Sequence, residues 1–147
     1  MANSDLSMGY MMNWAARVFR RLADRRLRPL GFSSGQLPVL NALMKVDAMS
    51  QKALIEVSAI EQPTMAATLG RMERDGIVER HPDPDDGRAA LYSLTATTIA
   101  KVPAIKAAIE QMNADALRAL PADQRGQFRA QLLAMITALE AMVVGDP

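Results

Sequence analysis

The chain contains no cysteine and a single histidine, His81, among its 147 residues. A disulfide scaffold and a thiol-based redox sensor are therefore excluded. A transition-metal site built from His and Cys ligands has no material to form from. Aromatics are scarce as well, with three Phe, two Tyr and one Trp against many Ala, Leu and Met, a balance that favours helices over strands. Apolar runs read as short and interrupted by charge, so no membrane-spanning segment is expected. The residues from Met1 to Met8 lack the basic start and apolar core of a secretory signal, and the expected location is the cytoplasm. Neither sign of charge is in excess: the net charge is +1, short of the basic bias of a domain that binds nucleic acid by charge alone. Nucleophile–base pairs, a Gly-rich phosphate loop and paired catalytic acids are all missing, so an enzyme is not expected. Half the residues are apolar, which is enough for one globular core.

What is present is a sequence of helical and strand-like segments with clear punctuation. From about Leu6 to Arg28, Met11, Ala15, Val18, Leu22 and Leu27 recur near one stripe at helical spacing. Arg17, Arg20, Arg21, Arg25, Arg26 and Arg28 crowd the second half of this helix, as a solvated face would. Pro29 and Gly31 stop it. Ser33 or Ser34 caps a second helix ending near Met44, with Pro38 near its first turn, where no N–H is needed. Ser50 caps a short third helix through Val57. After a break at 58–61 a fourth runs from Gln62 to Arg74, with Pro63 in its first turn and Asp75-Gly76 at its end.

The period changes at Ile77. Ile77–Arg80 and Ala90–Leu94 are strand-like and flank Pro82-Asp83-Pro84-Asp85-Asp86-Gly87-Arg88, so the whole reads as a β-hairpin. Two short helices, a tight break and a hairpin form the order of a winged helix-turn-helix. Thr95 caps the next helix, which reaches toward Leu120 and should kink or split at Pro103. Pro121 opens a last helix to about Val144, lined on one side by Phe128, Leu132, Met135, Ile136, Leu139, Met142 and Val143. So much apolar surface on terminal helices predicts a second copy of the chain as its cover.

Four blocks resemble the MarR (multiple-antibiotic-resistance regulator) family. Leu27-Arg28-Pro29-Leu30-Gly31-Phe32-Ser33 is similar to the family's link between its first two helices, and Gln36–Leu40 to the start of its second. Residues 71–80, from Arg71 through Asp75-Gly76 to Arg80, resemble the end of its recognition helix and the first wing strand. Asp83-Pro84-Asp85-Asp86-Gly87-Arg88, followed by Leu94-Thr95, resembles the wing signature, the most specific of the four. The blocks are in order over about residues 10 to 100. The resemblance implies a mostly α fold with a small β-hairpin wing. Residues 33–94 would form the winged helix-turn-helix, and 1–32 with 95–147 a helical dimerisation region. It further implies a homodimer on a pseudo-palindromic operator in double-stranded DNA, often released by a small aromatic or anionic effector bound between the two regions.

On that reading the recognition helix presents Gln62, Thr64, Thr68 and Arg71, the last three at spacings of four and three and hence on one face. Arg88 at the wing tip would enter the minor groove, with Asp86 orienting its guanidinium and bracing the turn. Ser50, Gln51 and Arg74 are candidates for the DNA backbone, although capping accounts for Ser50, and Arg74 could pair with a nearby acid. Tyr10, Trp14 and Arg17 are effector candidates, because an arginine with aromatics suits an aromatic carboxylate. His81, at a strand end, reads as a solvent-facing side chain before it reads as a pH switch.

The sequence departs from the family at Pro63, Ala66, Ala67 and Gly87. Between residues 61 and 88, seven acids face four arginines, a net charge of −3 that weakens the phosphate contribution. The expectation is a sequence-specific, ligand-responsive repressor. The alternative is a winged-helix protein-interaction module that does not bind DNA.

Overall fold

The computed structural model describes residues 6–58 and 60–145; residue 59, inside the expected break, lies outside them. The architecture is the one expected: mostly α, with a small antiparallel sheet. Helix α1 spans Met8–Leu27, α2 Leu37–Leu43, α3 Gln51–Ser58 and α4 Gln62–Arg74. Strands β2 (Val78–Pro82) and β3 (Ala90–Leu94) form the hairpin, and α5 (Ala96–Leu117) and α6 (Arg125–Gly145) follow. A strand that the sequence pattern does not signal, β1 (Met49–Ser50), completes a three-stranded sheet in the order β1-β3-β2. Two residues are too few for any alternation to register. Tertiary pairing creates this strand, Met49 lying opposite Tyr92 and Ser50 opposite Leu91.

Local chemistry sets the boundaries. Ser7 accepts the Tyr10 N–H at 3.3 Å and caps α1. The turn after α1 closes on Gly31, whose φ of +89° an L side chain rarely adopts. Gly76 (φ +70°) ends α4 in the same way, which is why Asp75-Gly76 was readable as a stop. Across the first turn, the Asp24 carboxylate accepts the Ser34 N–H at 2.7 Å. Lys101 of α5 donates to the Leu30 carbonyl at 3.0 Å and lies 5.5 Å from the centre of the Phe32 ring.

Residue contacts divide the described chain into two compact units, 6–109 and 110–145, with the division inside α5. The first unit holds a continuous core. Leu27, Val39, Leu40, Leu54, Met65, Leu69, Met72, Val78 and Ile105 are fully buried. The start of α5 is fastened to the end of α4 and the start of β2. The Thr95 hydroxyl donates to the Gly76 carbonyl at 2.8 Å, and Thr98, only 2% exposed, donates to the Ile77 carbonyl at 2.9 Å. Thr95 also accepts the Thr98 N–H, as its expected capping role requires.

Two expectations about the terminal helices are corrected. Helix α5 runs unbroken through Pro103. The ring leaves the Ile99 carbonyl without its helical partner, but Ile99 is an exposed residue, so water can satisfy the carbonyl and no break is forced. The C-terminal stretch Ala122–Gly145 is, by length and composition, apolar enough to cross a membrane. From residue 126 to 145 only Arg129 and Glu140 are charged, so the interruptions expected to rule this out are too sparse. No residue of α6 is buried within the single chain.

The Ser34 N–H holds the Asp24 carboxyl below the usual carboxylate range, aided by the charges of Arg28 and Arg20. A lowered folded-state value stabilises the protein above the unfolded value and loses that contribution as pH falls through the folded one. Wild-type stability is therefore expected to fall below about pH 4, with Asp24→Asn showing a shallower acid loss. Urea midpoints measured from pH 6 to pH 2 check this; parallel curves would remove Asp24 from the account.

Candidate nucleic-acid interface

Helices α3 and α4, with the hairpin beyond them, form the helix-turn-helix and its wing. Ser50 accepts the Ala53 N–H at 3.1 Å, so it caps α3 as expected; Gln51 follows as the first residue of the helix, and both are half-buried. In α4, Met65, Thr68, Leu69 and Met72 point into the core, at spacings of three and four. The opposite, exposed arc holds Pro63, Ala66, Ala67, Gly70 and Arg74. Thr64 and Arg71 lie along one edge of that arc, Gln62 and Glu73 along the other; all four are exposed.

The expectation that Thr64, Thr68 and Arg71 share one outward face is corrected at Thr68. This residue is 5% exposed, and its hydroxyl accepts a hydrogen bond from the Arg71 guanidinium at 3.3 Å. A 3.6-residue period places it 40° inside Thr64, on the buried side of the boundary. Arg74 is occupied locally: its Nε donates to the adjacent Asp75 at 2.9 Å, which raises the Arg74 pKa further. Arg71 and Arg88 have no ion pair among the described residues.

At the wing tip, seven residues join strands held in register from Val78–Leu94 to Pro82–Ala90. The Asp83 N–H donates to the Ala89 carbonyl at 3.1 Å and the Ala89 N–H to the Asp86 carbonyl at 2.9 Å. Asp83 accepts the Asp85 N–H and Asp86 accepts the Arg88 N–H, at 2.9 and 3.0 Å. Of the two tasks expected of Asp86, the geometry assigns it the bracing of the turn: its carboxylate engages the Arg88 backbone, and the exposed guanidinium is left for another partner. On the outer face of the hairpin, His81 Nε2 lies 2.9 Å from Ser93 Oγ and 3.6 Å from Glu79 Oε1. One nitrogen meets both groups, so this is a cross-strand contact and not a relay.

Tyr10 and Trp14 stack at a tilt, ring centres 6.2 Å apart, on the exposed side of α1; Arg17 is exposed on the same helix. A concave feature of the first unit is a groove of about 680 Å³ bounded by Arg20, Leu37, Asn41, Lys45, Met49 and Val57, among others. Sequence patterning does not signal it, because these residues are brought together from α1, α2, β1 and α3. Among the described residues, no cluster of three or more His, Cys, Asp or Glu could hold a metal ion.

A family model described as the MarR family matches residues 30–89, the region from the α1–α2 turn to the wing tip. The fold is similar to that of a probable transcriptional regulator from Pseudomonas aeruginosa, with 26% identity and a TM-score of 0.82 over 89% of this chain and 98% of that one. It is similar to the S. aureus MepR–DNA complex, with 20% identity and a TM-score of 0.83 over 91% and 99% of the two chains. A mutant MarR from E. coli complexed with operator DNA matches at 22% identity and a TM-score of 0.80, over 87% and 92%.

Amide exchange at the wing tip separates bracing from charge. Asp86→Asn retains an acceptor and is expected to leave protection at Arg88 and Ala89 nearly unchanged, whereas Asp86→Ala should speed their exchange about 10-fold. Equal loss in both variants would mean that the charge of Asp86, not its acceptor, sets the turn.

Proposed function

We propose that this chain is a transcriptional regulator of the MarR family: a cytoplasmic, ligand-responsive repressor that binds a pseudo-palindromic operator as a homodimer. The observation that carries the reading is the braced wing. The Asp86 carboxylate is spent on the backbone, so the Arg88 guanidinium stands exposed at the tip of a hairpin beside α4. A narrow A·T-rich minor groove attracts such a group while a helix occupies the neighbouring major groove. The segment from 61 to 88 carries −3, so bulk charge is not what would hold it on DNA. Placed guanidiniums are.

Support for the dimer comes from unsatisfied apolar surface. Trp14 is 44% exposed on α1, and Leu139 and Val143 are 43% and 78% exposed on α6. A second copy covering these faces removes the largest apolar areas from water. For the effector, the groove stands beside Tyr10, Trp14 and Arg17 as a second candidate. There Arg20 and Lys45 supply positive charge beside Leu37, Met49 and Val57, a lining suited to an apolar anion.

Fluorescence anisotropy on an operator enriched from a random duplex library tests the proposal. Wild-type affinity is expected to exceed that for scrambled DNA and to fall with salt. Arg88→Ala should cost about 1–3 kcal/mol. Affinity equal to that for scrambled DNA, unmoved by Arg88→Ala, would overturn the reading in favour of a protein-docking winged helix. Leu139→Arg is expected to shift the protein to a monomer in sedimentation equilibrium and to weaken operator binding at least ~10-fold, since one half-site then binds alone. A monomeric wild type would refute the dimer.

A further inference from the structure

The outward face of α4 offers few of the groups that a helix ordinarily uses to read base edges. Pro63, Ala66, Ala67 and Gly70 on this arc carry no side-chain donor or acceptor. Besides Arg74, which shares the arc, hydrogen-bonding side chains lie along its edges. Of the two arginines on this helix, Arg74 is held by Asp75 at 2.9 Å. Arg71 remains, and its guanidinium rests on a hydroxyl that is almost wholly buried.

That contact has a direction and a consequence. Thr68 accepts from Arg71 while its Cβ substituents are packed beneath the helix surface, so the acceptor cannot move with the solvent. An exposed arginine normally surrenders rotamer entropy on binding, about 2 kcal/mol when fully fixed. Tethering one guanidinium nitrogen in the free protein offsets part of that in advance and leaves the other N–H groups of an exposed side chain available. A guanidinium presented in this way matches the O6 and N7 acceptors of guanine, the commonest specific pairing of arginine in a major groove.

We propose that Thr68 is a positioning residue for DNA recognition: it fixes Arg71, and Arg71 reads one guanine in each operator half-site. The proposal rests on the DNA-binding reading above and departs from the expectation that Thr68 itself touches DNA. The neighbouring small side chains then bear against the groove floor without adding a hydrogen bond, Ala66 and Ala67 offering methyl groups where a thymine methyl would lie.

The test is operator selection from a random duplex library with the wild type and Thr68→Val, Thr68→Ser, Arg71→Lys and Arg71→Ala variants, followed by anisotropy at two salt concentrations. Valine keeps the shape of threonine and removes the hydroxyl, donor and acceptor together. The expected result for Thr68→Val is a ~10-fold loss of preference for one G·C pair per half-site, with the slope of affinity against salt unchanged because no charge is removed. Thr68→Ser restores the preference. Arg71→Lys loses it while keeping the salt slope. Equal melting temperatures for the wild type and Thr68→Val exclude a folding effect. The inference is overturned if Thr68→Val selects the same operator with the same discrimination. It is also overturned if Arg71→Ala weakens cognate and scrambled DNA equally and lowers the salt slope by about one, the signature of a phosphate contact. A wild type that selects no sequence defeats the DNA-binding reading itself, and the inference with it.

Discussion

Two threonine hydroxyls hold the first unit in its working form. Thr95 and Thr98 donate to the consecutive carbonyls of Gly76 and Ile77, at the point where α4 has ended and β2 has not yet begun. The Gly76 carbonyl lies beyond the last turn of a helix and would otherwise need water, while that of Ile77 also accepts the Thr95 N–H at 3.1 Å. Closing them from the start of α5 joins three elements at one place: α4, the hairpin and α5. Removing a buried hydroxyl acceptor or donor of this kind costs about 1 kcal/mol, but here the larger loss would be geometric.

Charge is distributed against first intuition. The total is +1, yet residues 17–28 hold six arginines and one aspartate, while the α4–wing segment is net negative. A regulator with this arrangement gains little from long-range attraction along its recognition surface. On the proposed reading its contacts come instead from individually placed guanidiniums. The Asp86 carboxylate engages the Arg88 backbone, Thr68 accepts from Arg71, and Arg74 pairs with Asp75.

Most of the fold was legible because its punctuation is local. Ser50 and Thr95 cap helices, Gly31 and Gly76 take positive φ, and the Asp- and Pro-rich wing turn lies between two paired strands. Helix α4 was readable to its ends for the same reason. What escaped notice depended on distant residues. Strand β1 exists only because β3 offers it a partner, and the groove near Arg20 is assembled from four elements. Thr68 shows a subtler limit. A spacing of four and three correctly placed Thr64, Thr68 and Arg71 on adjoining rows, but the boundary of burial passes between them, and periodicity alone does not say where that boundary falls. The fixed set of buried neighbours, Met65, Leu69 and Met72, would have placed it.

The sheet has one more consequence, which concerns how the chain avoids the wrong partners. In the order β1-β3-β2 the two outer strands are the ones open to a foreign strand. One is only two residues long. The other carries Glu79, Arg80, His81 and Pro82, three polar side chains and an imide that cannot donate. Neither margin is a template for adding β-structure from another molecule. An extended segment of another molecule therefore finds no strand edge to add to, and the sheet ends with the three strands that this chain supplies.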